Sequence, residues 1–156
     1  MRSSRLMRII ILSFLVIGMG CGGDDDKASN PVNTVPASLV NTWWYNSGTQ
    51  DGVPISSFAE VSFTDTSEAG SLTINSNATW SGTETYNSQV VFTQSGTLVV
   101  KGDTLKITRT TMDGSPAPAH DTSSSLWNVT ADTLRVTNEL DLGDDTIIVI
   151  VKYIPE

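Results

Sequence analysis

The chain has 156 residues, 9 of them Lys or Arg and 17 Asp or Glu, with one His and one Cys. Arg2, Arg5 and Arg8 lie in the first ten positions, so the rest carries 6 basic against 17 acidic residues, a net charge of −11. That balance excludes a nucleic-acid or anionic-membrane binder driven by charge; the lone Cys and lone His exclude an internal disulfide, a Cys-based zinc cluster and a His-rich metal site.

Residues 1–20 have the form of a secretory signal. The three arginines make a positive head, and Ile9 to Ile17 is an almost unbroken apolar run. With Gly18 to Gly20 it reaches 12 residues, too short to cross roughly 30 Å of hydrocarbon comfortably as a helix. The segment Ile17-Gly18-Met19-Gly20-Cys21 resembles the lipobox of bacterial lipoproteins. It departs from the usual pattern at Gly18, where Leu is commonest, and at Met19, where a smaller residue is usual. The resemblance implies cleavage before Cys21, a diacylglyceryl group on its sulfur, and often an acyl chain on its amine. Two or more chains hold a protein stably on a bilayer. The implied location is the cell envelope, lipid-anchored in a bacterial membrane. The outer membrane is the expected one, with the domain periplasmic or surface-exposed.

Residues 21–36 read as the lipidated Cys and a flexible acidic linker. Gly22 to Pro31 has no large apolar residue and carries the run Asp24-Asp25-Asp26, which suits a solvated, extended tether. Residues 37–156 form the domain. They are rich in Thr, Ser, Val and Ile, a composition that favours strands over helices. The one candidate helical turn is Pro36 to Val40.

Short strands then follow at regular spacing. The alternation predicts Thr42 to Ser47, Ser57 to Thr64, Gly70 to Asn75 and Ala78 to Tyr86. Val90 to Gln94 comes next and continues after a bend through Gly96 to Val100. Two similar units succeed it, Gly102-Asp103-Thr104-Leu105-Lys106-Ile107-Thr108 and Ala131-Asp132-Thr133-Leu134-Arg135-Val136-Thr137. Each opens with a turn pair and then alternates apolar with polar residues, the pattern of successive hairpins. Ser125 to Thr130 partners the second unit. Thr146 to Ile154 is the last strand, apolar on both faces and expected to be covered on both. Met112 to Asp121, with its Pro and Gly, reads as a surface loop. Eight or nine antiparallel strands make either a closed meander or an Ig-like β-sandwich, and the short sequential connections favour the meander.

Residues 37 to 154 resemble the lipocalin-like domains of many bacterial lipoproteins. Leu39-Val40-Asn41-Thr42-Trp43 is similar to their opening Leu-x-Gly-x-Trp, with Asn41 in place of Gly, and the two Asp-Thr-Leu strands also fit. The resemblance implies an eight-stranded antiparallel up-and-down barrel whose closed end is plugged by Trp43.

Such a barrel is just wide enough for packed side chains or one small ligand. If Trp43 points inward, parity turns Tyr45 inward and Trp44 outward. The same parity puts Ala59, Val61, Phe63, Leu105, Ile107, Leu134, Val136, Ile147, Val149 and Val151 inside. Trp43, Tyr45, Phe63, Trp80 and Trp127 are candidate walls of a ligand pocket, and Arg109, on the inner parity near a strand end, is a candidate for an anionic head group. Catalysis finds no support. His120 shares one loop with Asp121 and Ser123, which does not suit a triad. Glu60 and Glu84 could pair as acid and base, but no spacing joins them. Asp141, Asp144 and Asp145 do not match a calcium loop. The expected function is therefore non-catalytic, with no cofactor and no metal. The barrel binds a small apolar or amphipathic ligand. The alternative is a filled barrel acting as a structural or interaction module on an envelope protein partner.

Overall fold

The computed structural model describes residues 33–64, 66–119, 121–141 and 146–156. The signal segment, Cys21, His120, Asp144 and Asp145 lie outside them. The strands are β1 (Asn41–Gln50), β2 (Val53–Pro54), β3 (Ala69–Ile74), β4 (Thr79–Tyr86), β5 (Gln89–Lys101), β6 (Thr104–Met112), β7 (Ser115–Pro116), β8 (Thr122–Thr130), β9 (Thr133–Asp141) and β10 (Thr146–Pro155).

Neighbours run β10-β9-β8-β6-β5-β4-β3-β1, and β1 pairs again with β10. The result is a closed, antiparallel, lipocalin-like barrel of eight strands. The two-residue strands β2 and β7 extend β1 and β6 beyond it. Closure leaves none of the eight main strands with an unpaired edge. The sequential order also rules out the Ig-like sandwich, whose strands divide between two sheets.

The hairpin turns follow the sequence signals. Asn87 and Ser88 both have positive φ, as do Asp51 with Gly52 and Asp113 with Gly114. That is the mirror-image turn whose twist matches the flanking strands. The two similar units use a different turn, with positive φ at the first residue only: Gly102 in one and Ala131 in the other.

The core sits at one end of the barrel. Val35, Leu39, Trp43, Ile74, Trp80, Leu98, Leu105, Leu134 and Val136 form one buried cluster. The end is sealed from below by chain that precedes the sheet. Leu39 N–H bonds Pro36 O at 2.9 Å to close a tight turn, and the Trp43 indole N–H donates to Leu39 O at 3.0 Å. Further upstream, Asn33 binds β5 through both ends of its amide: Nδ2 donates to Leu98 O, and Val100 N–H donates to Oδ1 at 3.2 Å. Among the described residues the packed unit thus takes in Asn33 and Val35, ahead of the expected boundary at 37. Residues 33–36, read as the end of a linker, contribute Val35 to the core.

Three further expectations change. Ser57 to Thr64 is not a strand: Phe58–Glu60 is a single 3-10 turn, and Ala59, Val61 and Phe63 do not line the barrel as strand residues. The reason is that Phe58 and Phe63 both turn toward the barrel. Five residues apart, they would lie on opposite faces of a strand. The two halves expected of β5 form one strand of 13 residues, with Val91 extra in its pairing with β4 and a second irregularity in β6. There Gly96 pairs with Arg109 and Ser95 with Thr111, which leaves Thr110 as the extra residue of a bulge. A Cβ at Gly96 would stand 1.9 Å from Thr108 O, so only glycine fits. Finally, the outer face of β10 is not covered among the described residues, where Ile148 and Ile154 are both exposed.

Candidate functional site

The two ends of the barrel differ in chemistry. The closed end is apolar and filled. Toward the other end the inward positions become glycine, polar and aromatic. On β4 the inner face reads Trp80, Gly82, Glu84, and on β5 it reads Leu98, Gly96, Gln94, Phe92. On β8 and β9 it carries Ser123, Ser125 and Asn138, with Ser125 Oγ donating to Asn138 Oδ1 at 2.5 Å. Ser123, Asn138, Leu140 and Ile147 keep partial exposure although their parity is inward. With the apolar cluster confined to the opposite end, this end, the mouth, is the one less filled by apolar side chains.

One side of the mouth is occupied by the β1–β3 connection. The Phe58 ring lies on Gly70, where a Cβ would come within 2.0 Å of the ring, and its centroid is 4.9 Å from that of Tyr45. Tyr45 in turn meets Tyr153 edge-on at 6.5 Å. Phe63 stacks on Phe92 at 5.0 Å and lies 4.7 Å beneath the Arg109 guanidinium. Arg109 also donates from Nη1 to Asp121 Oδ2 at 2.5 Å and from Nε to Gln94 Oε1 at 2.8 Å. These contacts fix a cation at the rim above an aromatic pair, an arrangement that suits a ligand with an apolar body and a polar end.

Glu84 is buried, 4% exposed, and its carboxylate holds the connection in place. Oε1 accepts from Phe63 N–H at 2.7 Å, and Oε2 accepts from Thr64 N–H at 3.2 Å, Thr64 Oγ1 at 3.3 Å and Ser67 Oγ at 2.7 Å. Glu60 instead accepts from Ser56 at the surface. The two glutamates have separate partners and do not form an acid–base pair. Asp121 accepts from Arg109, and His120, the other ionisable member of the set weighed from the sequence, lies outside the described residues.

Burial, and then the charges of Tyr45 and Glu84, push the Tyr153 phenol up to about 12. Burial, with Glu60 nearby, also raises Tyr45. Both phenols are neutral at ordinary pH.

The six residues singled out from the sequence thus divide. Phe63 and Arg109 come together at the mouth, while Tyr45 meets Phe58 and Tyr153. Trp43 and Trp80 lie in the closed-end cluster, and Trp127 packs against it. Trp127 also lines an open groove of about 330 Å³ with Ser38, Gly102, Asp103, Asn128 and Val129. The indole N–H groups of Trp80 and Trp127 are buried without a partner among the described residues. Phe58, Phe92, Gln94, Glu84 and Asp121 belong to the mouth without having been predicted there. The inward parity of Glu84 was readable from Trp80 on the same strand; the partners of its carboxylate were not.

Among the described residues, no group of three or more His, Cys, Asp or Glu gathers to hold a metal, and no helix is long and apolar enough to cross a membrane. Cys21, the expected lipid carrier, lies outside them. No protein-family model matches the chain, and the comparison with curated proteins returns no match.

Proposed function

We propose that the chain is a lipid-anchored lipoprotein of the bacterial cell envelope whose barrel holds a small apolar or amphipathic ligand without catalysing a reaction. The observation that carries the binding reading is the contrast between the two ends. One is sealed by Val35, Leu39 and Trp43, while the other gathers half-exposed aromatic and polar side chains around Arg109. Tyr45, Phe63 and Arg109 are the contacts assigned to the ligand. Anchoring rests on the leader and on Cys21, and the sealed end supports a single entrance.

Native mass spectrometry of the soluble domain, residues 28–156, purified gently from an envelope extract, tests the binding reading. The expected result is a reproducible extra mass that organic extraction removes. A clean apo mass, with no change of Trp fluorescence across a panel of fatty acids and other apolar compounds, overturns it. Cys21→Ser tests the anchor and is expected to abolish lipid labelling and membrane association.

A second reading has one observation in its favour. Trp44 pairs with Ile154 on the outer face, and Ile148 is exposed on the same strand. An apolar outer strip of this kind suits an interaction module that contacts an envelope protein partner. A clean apo mass moves the search to that surface.

A further inference from the structure

The segment from 56 to 64 is tied to the barrel in an uneven way. Its flanks are fixed by backbone bonds: Ile55 N–H to Gly48 O at 2.9 Å, and Glu68 N–H to Thr85 O at 2.9 Å. Between them the segment bonds mostly to itself. Glu60 N–H donates to Ser57 O at 3.2 Å, Val61 N–H to Phe58 O at 2.9 Å, and Ser62 Oγ to Thr64 O at 2.6 Å. Among the described residues, every hydrogen bond from this segment to the barrel wall ends on the one carboxylate of Glu84.

Its apolar hold is equally sparse. No residue of the 3-10 turn is buried. Two rings make the contact: Phe58 over Gly70, and Phe63 between Phe92 and Arg109. A wall element of a barrel is tied by a ladder of backbone bonds, and breaking one bond leaves the rest in place. Here the hydrogen bonds to the wall all end on a single side chain, and its loss leaves only the two rings to hold the middle of the segment. Segments with few apolar contacts and few backbone ties open at a small fraction of the global unfolding cost.

We propose that residues 56–64 are a gate over the barrel interior, latched shut by Glu84, with Phe63 as the leaf that must swing off Phe92 before a ligand enters. The proposal rests on the binding reading for what passes the gate. Glu84 is a positioning residue: it acts on the ligand through the segment it holds.

The test uses the full-length chain carrying Cys21→Ser, with two further variants compared against it, Glu84→Gln and Phe63→Ala. The first removes the latch and keeps the side-chain shape. The second removes the leaf and keeps the carboxylate, so the test survives if the first variant folds poorly. Hydrogen exchange is read at the Phe63 and Thr64 amides and at Leu98 and Leu105 in the core. Entry of the apolar fluorophore N-phenyl-1-naphthylamine is followed by stopped flow.

In the parent, the two latch amides are expected to exchange well ahead of the core pair. Glu84→Gln should speed them by about tenfold or more, since a carboxamide offers one acceptor oxygen where the carboxylate offers two, while the core amides keep their rates. Probe entry and exit should both quicken in each variant; Glu84→Gln should change Kd less than the rates, whereas Phe63→Ala also removes a ligand contact and should weaken Kd. Latch amides that exchange only with the core in all three proteins would make the segment a fixed wall and overturn the proposal. Equal probe rates in all three would do the same. A segment that opens freely in a protein that takes up no probe upholds the latch and removes the binding reading instead.

Discussion

Leu39→Ala probes the seal at the closed end. Leu39 is fully buried yet lies outside the sheet, in the turn that precedes β1. Its carbonyl accepts the Trp43 indole N–H, and an alanine keeps that carbonyl. The substitution therefore removes packing alone. Truncating a fully buried leucine costs about 3 kcal/mol, the sum of lost transfer energy and the cavity left behind. With a urea slope of about 1.5 kcal/mol/M, the unfolding midpoint should fall by about 2 M. Urea titration followed by Trp fluorescence measures it, because Trp43 and Trp80 report on the same cluster. Leu126→Ala is the control, since Leu126 is 52% exposed on the outer face and should shift stability by less than about 0.5 kcal/mol. If Leu39→Ala costs no more than the control, the turn lies against the barrel without sealing it, and the assignment of a closed end fails.

Other outcomes follow from local geometry. Gly96→Ala should cost at least about 3 kcal/mol, because its methyl would stand 1.9 Å from the backbone oxygen of Thr108 and no side chain can yield; thermal unfolding measures it. The two similar turns make a reciprocal pair. Gly102→Ala should lose about 1 kcal/mol and Ala131→Gly should gain up to about as much, since both positions have positive φ. Tyr153 links stability to alkaline pH. Its folded pKa of about 12 exceeds the ordinary value of 10, so its contribution is complete below pH 10 and is lost as pH rises toward 12. Tyr153→Phe should flatten urea stability across that window by about 2 kcal/mol.

Much of the barrel was legible because it rests on local rules. Leu105 with Ile107, and Leu134 with Val136, alternate with polar residues and follow turn pairs, so register and inner face could be read together. Trp43 set the parity of β1, and the opening motif placed it at the sealed end. The mouth was not legible in the same way. Ser57 to Thr64 alternates like a strand, and no local signal says that it leaves the sheet to lay two phenylalanines over the opening. Asn33 and Val35 sit in a mostly polar run whose two valines, Val32 and Val35, give no strand or helix period. Their packing depends on β5, more than sixty residues away. Trp43, Trp80 and Trp127 share the closed end with one another, which follows from the stagger of paired strands and not from any one strand. Arg109 was placed inward correctly, but its partners Gln94, Asp121 and Phe63 come from three separate parts of the chain.

The positions of Asn33 and Glu156 have a practical consequence. Asn33 is held against β5 near Leu98, and Glu156 N–H donates to Thr42 O at 3.2 Å, so both lie at the sealed end. A surface attachment or fusion made through either one leaves the opposite rim clear, and an immobilised sample presents its opening to the solution. A short linker joining residue 156 to residue 33 would give a circular permutant. New ends cut at Asn87-Ser88 would then fall beside the mouth, where a reporter could watch the opening from the outside.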